Sequence, residues 1–189
     1  LLGLINDVLD MSKIESGKLT LNVDAVCLRE TVESIVSIIQ PQVKAKKQLF
    51  DVFIQDIRRE TLYCDSVRLN QVLLNLLSNA LKFTPNGGTI TIRMKKADTM
   101  LDITFADTGS GIPEDKLPHI FKPFYSDDST SGTGIGLALV RQIIDAVDGT
   151  IEVSSKHGHG TTFHITVPIH NTAKPFSEDD ASVPSSIPT

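Results

Sequence analysis

Asn75, Asn79 and Lys82 stand four and then three residues apart in RLNQVLLNLLSNALKFT (68–84). At about 100° per residue a helix gathers them on one stripe, roughly opposite its apolar side. Asparagine is a mediocre helix former, so two of them in mid-helix are a local cost that a function could justify. An amide oxygen can ligate a hard cation, and an ammonium beside it can meet a phosphate. A solvated polar face would account for the same three residues, so their meaning rests on what accompanies them.

Two glycine-rich segments accompany them. Asp107-Thr108-Gly109-Ser110-Gly111-Ile112 closes the run LDITFAD. A carboxylate at a strand end followed by glycines can grip a flat heterocycle and accept a hydrogen bond from an exocyclic amine such as that of adenine. Asp-Thr-Gly-Ser is also how an aspartic protease presents its carboxylate. That chemistry needs a second carboxylate sharing the proton, and Gly-Ile-Pro-Glu-Asp follows here instead. Gly132-Thr133-Gly134-Ile135-Gly136-Leu137 opens directly into an apolar helical pattern. Its amides and the positive end of the helix suit an anion. The segment lacks the Gly-Lys-Ser/Thr of a Walker loop and the preceding strand of a dinucleotide fold. Gly158-His159-Gly160-Thr161 is a third, weaker glycine turn. Phe121 and Phe124 (FKPF) are read either as anchors of the intervening segment to the core or as a docking surface. The histidines 119, 157, 159, 164 and 170 show no metal-ligand spacing, and His157 and His159 read as loop residues.

The elements that must carry these residues follow from periodicity. Residues 1–16 and 28–47 read as helices, the second kinked or divided at Pro41. Leu69, Val72, Leu73, Leu76, Leu77 and Ala80 form the buried side of the asparagine helix, capped by Asp65 or Ser66. Residues 135–148 form a last helix ending at Gly149. Alternation predicts strands at 18–23, 49–54, 89–96, 101–106, 150–155 and 161–168, with a short extended piece at 62–64. Residues 108–134 form a long loop of the kind that serves as a lid. This order of elements predicts an α+β sandwich with helices on one face of the sheet.

The chain has 189 residues, of which 40% are hydrophobic and 22% charged. That suits one domain with a sizeable core. The net charge is -5 and no dense basic block occurs, which argues against a nucleic-acid partner. No apolar run is long enough to span a bilayer. Cys27 and Cys64 lie in no paired motif and read as reduced thiols. The first residue is Leu in mid-pattern, so the chain is expected to be part of something longer. Residues 171–189, rich in Ser, Pro and acid, read as a disordered tail or linker.

Taken in order, NLLSNALKFT, DTGSGI, FKPF, GTGIGL and GHGTTF resemble the N, G1, F, G2 and G3 boxes of the ATP-binding catalytic domain of sensor histidine kinases. That family shares its nucleotide fold with gyrase, heat-shock chaperone and MutL ATPases. The resemblance covers residues 18–168 and implies a Bergerat-type two-layer sandwich with a mixed, mostly antiparallel sheet. It implies ATP and Mg²⁺ as cofactors. Asn79 would coordinate Mg²⁺, and Asn75 and Lys82 would stand at the phosphates as the residues serving the transfer. Phe83 would lie near the adenine and Asp107 would accept its amino hydrogen bond. Gly109, Gly111 and Ile112 would shape that pocket, and Thr161 would support it. Gly132, Thr133, Gly134, Ile135, Gly136 and Leu137 would clamp the phosphates as a mobile lid closes. Asn75 stands where the ATPase relatives carry a water-activating glutamate. An amide cannot act as a general base, which favours a kinase over an ATPase. A nucleotide-responsive interaction module without catalysis is the third reading.

Residues 1–17 resemble the end of the dimerisation helix that precedes this domain, with residues 18–170 the catalytic domain. None of the five histidines has the phosphoacceptor setting, so the target histidine is expected upstream and self-phosphorylation is not expected. The resemblance further implies a response-regulator receiver domain downstream and a homodimeric parent, with this chain a monomer. It implies a cytoplasmic domain of a membrane-anchored sensor.

Overall fold

The computed structural model describes residues 2–55, 57, 61–126 and 132–170. The tail expected at 171–189 and part of the predicted lid (127–131) lie outside the described residues. Helices α1 (Leu2–Glu15), α2 (Leu28–Ala45), α3 (Ser66–Phe83) and α4 (Gly136–Ala146) accompany seven strands. β1 (Asp24–Cys27) and β3 (Thr61–Cys64) pair antiparallel in a small sheet of their own. The main sheet has the order β2-β4-β5-β7-β6, formed by Leu49–Gln55, Thr89–Ala97, Met100–Asp107, Gly160–Pro168 and Thr150–Lys156. Only β2 and β4 run parallel; the remaining neighbours are antiparallel. The predicted mixed, mostly antiparallel α+β sandwich is the fold observed.

Period-two alternation decides which sheet face is covered. Ile90, Ile92 and Met94 of β4, Leu101, Ile103 and Phe105 of β5 and Ile165 of β7 are buried. They meet Leu69, Val72, Leu73, Leu76 and Leu77 of α3 and Leu139, Val140, Ile143 and Ile144 of α4 in one core. Arg93, His164 and Glu152 point to the uncovered face and are exposed.

One expectation is corrected and one is narrowed to the alternative of an undivided helix. Residues 18–23 are not a strand; pairing begins at Asp24. Leu19, Leu21 and Val23 are half-buried while the residues between them are exposed, so the alternation records packing without a ladder partner. α2 runs undivided through Pro41, which is exposed. Ser37, whose carbonyl loses its N–H partner there, is exposed as well, so water can take the place of the bond.

The ends of α3 are fully accounted for, and this fixes the asparagines. Asp65 is the N-cap, accepting from the backbone N–H of Arg68 at 3.1 Å and from that of Asn22 at 3.0 Å. At the other end Thr84 N–H donates to Ala80 O at 2.9 Å and Ser110 N–H to Phe83 O at 3.2 Å. Lys46 Nζ donates to Leu81 O, to Thr84 O at 2.8 Å and to Lys82 O at 3.4 Å. The last-turn carbonyls thus all have donors, and a cation sits at the negative end of the helix. Lys46→Met keeps the stem and removes the ammonium. It is expected to cost about 2 kcal/mol in urea unfolding, in line with charge-assisted hydrogen bonds. A loss below about 0.5 kcal/mol would show the cap to be dispensable.

α1 is stitched to the helix layer. Arg68 Nη1 lies 3.1 Å from Asp10 Oδ2, and Gln71 Nε2 donates to the same oxygen at 3.1 Å. Burial pushes the Asp10 carboxyl up, but the Gln71 and Arg68 hydrogen bonds and the guanidinium charge outweigh it, and the group is held below its ordinary value. At the far end Gln142 Nε2 of α4 donates to Glu15 Oε1 at 3.3 Å. Cys27 and Cys64 are unpaired, and burial, with Asp65 nearby, pushes the Cys64 thiol up to about 11. Among the described residues no helix is long and apolar enough to cross a membrane.

Candidate nucleotide site

One cleft of ≈ 570 Å³ opens between α3, the end of β5, the turn between β6 and β7, and the segment leading into α4. Asn75, Asn79, Lys82, Phe83, Asp107, Gly111, Ile112, Thr133, Gly134, Gly136, Leu137 and Thr161 all line it. Residues from stretches separated by up to 86 positions (75 to 161) are therefore brought to one surface. Two expected members stand elsewhere. Ile135 is 1% exposed and points into the core. Gly109 is buried behind the cleft wall, where an added Cβ would meet Asp107 Oδ1 and Phe83 O at 2.7 Å each.

At one end of the cleft the wall is strand-end backbone. Asp107 and Thr161 are partners on the last rung of the β5–β7 ladder. An added Cβ on Gly160 (φ +99°) would lie 2.0 Å from Asp107 O, and one on Gly111 (φ +66°) 2.1 Å from Lys156 O. Only glycine permits both the approach and the positive φ. Asp107 Oδ1 accepts the Gly109 N–H at 2.8 Å, and the Thr161 N–H also donates to this carboxyl. Burial nevertheless pushes the carboxyl above the ordinary aspartate value, the two N–H donors offsetting only part of it.

That shift carries a pH dependence. A ligand N–H donated to Asp107 favours the ionised carboxylate, so binding expels a proton wherever the free group is protonated. For a ligand held in this way affinity would be complete above the raised pKa and would fall as pH descends through it, a decline that begins above the ordinary carboxylate value of about 4. Calorimetric titration with ADP between neutral pH and the acid limit of folding is expected to show Kd climbing toward tenfold per pH unit. A flat profile down to the ordinary aspartate range would contradict it.

At the other end Asn75, Asn79 and Lys82 present amides and an ammonium. They flank the apolar side of α3 rather than oppose it. Asn75 and Asn79 are half-buried, and the entry to α4 lies against Asn75; an added Cβ on Gly136 would be 3.2 Å from Asn75 Oδ1. Lys82 Nζ reaches the other side of the cleft, 2.9 Å from where a Gly132 Cβ would stand, and lies 5.1 Å from the Phe83 ring centroid. Among the described residues no side chain caps the N-terminus of α4. The first N–H groups of such a helix end can meet solvent or an anion.

Of the two lid phenylalanines, Phe121 packs edge-on against Phe163 (centroids 6.3 Å, 71°) and is an anchor. Phe124 is 72% exposed at φ +60°. Asp7, Lys116, Tyr125 and His157 also line the cleft and were not singled out from sequence. Lys116 and Tyr125 fall inside the lid without a motif. His157 read as an ordinary loop residue because its place depends on where the β6–β7 turn folds back.

Among the described residues no group of three or more His, Cys, Asp or Glu side chains could hold a metal ion. Mg²⁺ does not require one, since it is commonly held by one or two protein oxygens with phosphate and water supplying the rest. The amide of Asn79, beside Asn75 and Lys82 in the same cleft, fits that donor pattern.

The family model for histidine kinase-, DNA gyrase B- and HSP90-like ATPases matches residues 64–171. The chain is 37% identical over 188 residues to the non-motile and phage-resistance protein of Caulobacter vibrioides, covering 95% of this chain and 22% of that protein. It is 34% identical over 195 residues to the autoinducer 2 sensor kinase/phosphatase LuxQ of Vibrio parahaemolyticus, covering 96% and 22%. Among solved structures, full-length ShkA in complex with AMPPNP superposes with a TM-score of 0.80 at 28% identity, covering 93% of this chain and 37% of that one. The Acinetobacter baumannii histidine kinase AdeS gives 0.74 at 29%, covering 89% and 78%. The chain spans about a fifth of the length of the curated relatives named.

Proposed function

The chain belongs to the histidine kinase-, DNA gyrase B- and HSP90-like ATPase family, as the ATP-binding catalytic domain of a sensor histidine kinase, and from that premise we propose how its cleft binds Mg-ATP and passes on the γ-phosphoryl group. The adenine lies against Phe83 with its amino group on Asp107, and Gly109, Gly111, Ile112 and Thr161 shape and support that end. Asn75, Lys82, Thr133, Gly134, Gly136 and Leu137 hold the phosphates, with Ile135 seating the loop from the core side. Asn79 would hold Mg²⁺, which would neutralise phosphate charge.

The observation that carries this reading is the single cleft joining a strand-end carboxylate to two helix amides, a lysine and an uncapped helix N-terminus. Phosphoryl transfer asks the protein mainly for position and charge. A histidine imidazole nitrogen bonds to the γ-phosphorus as the bridging P–O bond to the β-phosphate breaks and ADP departs. Asn75 cannot take a proton from water, which supports transfer to a protein nucleophile over hydrolysis.

The phosphoacceptor belongs to a dimerisation domain ending in residues 1–17, followed by the catalytic domain (18–170) and a tail or linker (171–189). A response-regulator receiver is the next acceptor. The parent is a homodimeric, membrane-anchored sensor with this domain in the cytoplasm, monomeric by itself and without nucleic-acid contacts. The test is incubation with γ-labelled Mg-ATP and an isolated histidine-bearing dimerisation domain. Acid-labile, base-stable label on that partner is the expected result. Phosphate release without labelled partner would replace the kinase with an ATPase, and no nucleotide binding would leave an interaction module.

A further inference from the structure

Asp107, Thr161 and Ser155 form one row across β5, β7 and β6, each directly opposite the next in the ladder register. Neighbours at one rung project to the same face of a sheet. Asp107 and Thr161 line the cleft, and Ser155 stands behind them, half-buried. Its Oγ has three partners: the Ile112 N–H at 2.8 Å, Gly160 O at 2.8 Å and Thr161 Oγ1 at 3.0 Å.

A hydroxyl has one proton to give and two lone pairs to receive with. Gly160 O is a carbonyl and can only accept, so the Ser155 proton goes there. The Ile112 N–H takes one Ser155 lone pair. Thr161 Oγ1 must then donate its proton to the other, which turns the Thr161 O–H away from the cleft. What Thr161 can offer a ligand is therefore a lone pair. Beside it stands the Asp107 carboxyl, whose inner oxygen already accepts from Gly109.

We propose that Ser155 is a positioning residue that fixes the hydrogen-bond polarity of the purine pocket, so that the pocket takes a 6-amino purine and rejects a 6-oxo purine. Two adjacent acceptors match an exocyclic –NH₂, which carries two donors. They oppose a 6-carbonyl, which meets them with a further acceptor where the amine brings two donors. Removing the Ser155 hydroxyl frees the Thr161 hydroxyl to rotate and donate, and the pocket loses its bias. The same hydroxyl ties Ile112 to the Gly160 turn. The inference rests on the proposed adenine-nucleotide reading of the cleft.

The test compares ADP with IDP, which carries an oxygen in place of the 6-amino group, by calorimetric titration, with melting temperatures measured alongside. The parent chain is expected to prefer ADP by about a hundredfold or more. Ser155→Ala is expected to weaken ADP about five- to tenfold and IDP little or not at all, so the preference shrinks by a similar factor. Ser155→Thr, which keeps the hydroxyl, is expected to restore the preference. Thr161→Val, with Ser155 intact, removes the acceptor and is expected to lower the preference in the same way should Ser155→Ala fail to fold. Equal weakening of both nucleotides by Ser155→Ala, or no change in either, would reduce Ser155 to a structural contact and overturn the inference. A parent chain that binds ADP and IDP equally would overturn it as well. A folded parent chain that binds neither would instead overturn the adenine-site reading, a different failure.

Discussion

Asp107→Asn is expected to raise the Kd for ADP and ATP at least about a hundredfold, while the melting temperature stays within a few degrees of the parent value. The substitution is isosteric, and the oxygen that accepts the Gly109 N–H at 2.8 Å can be kept. Burial already favours an uncharged group at this position, which offsets the weakening of the second N–H contact, from Thr161, so folding loses little. Binding loses a great deal. A charge-assisted bond to the ligand amine is replaced by an N–H facing an N–H. A lost bond of that kind costs about 1.5–3 kcal/mol and a buried unsatisfied donor another 1–3 kcal/mol. Each 1.4 kcal/mol is about a factor of ten in Kd. Titration calorimetry reads the affinity and scanning calorimetry the stability. Retained ADP affinity in a folded Asp107→Asn chain would remove Asp107 from the recognition of adenine.

The second large effect is on the fold that holds the site. Gly160→Ala is expected to lower stability by about 3 kcal/mol or more and to abolish nucleotide binding even where the chain remains folded. The methyl group would stand 2.0 Å from Asp107 O, and the residue would be asked to hold φ +99°. The obstacle is backbone rather than the end of a flexible side chain. Relief must come from shifting β7 against β5 at the rung that pairs Asp107 with Thr161. Urea unfolding measures the first part and ADP titration the second. A mild loss with intact binding would mean that this end of the ladder yields easily, contrary to the packing described.

Much of this was legible in the residues. The 3.6-residue rhythm of α3 and the Asp65 cap are local signals, and both appear in the structure as read. The strands of the main sheet announce themselves by alternation because one face is buried and the other is not. What misled was alternation with no partner strand, at 18–23, and a proline whose cost depends on which side of the helix meets water. The site showed the same division. Asp107, Asn79 and the glycine segments carry their chemistry in their own types and order. Ser155 does not, because a serine in a strand has no motif, and its meaning arises only when Ile112, Gly160 and Thr161 are folded around it. Ile135 is the reverse case. It lies within a glycine-rich loop, yet its side chain is part of the core.

The walls around Asp107 are built largely of main chain that comes close because Gly109, Gly111 and Gly160 have no side chains. An inhibitor that presses on those walls meets carbonyls and amides, which point mutation cannot exchange for other groups. Altering their positions means replacing a glycine, and the site then fails together with the inhibitor. Escape from such a compound would have to come from the side chains that line the cleft beside the main-chain walls, Phe83 and His157 next to them and Lys116 and Tyr125 in the same cleft, which can vary. A molecule that touches only the main-chain walls leaves resistance the narrowest route.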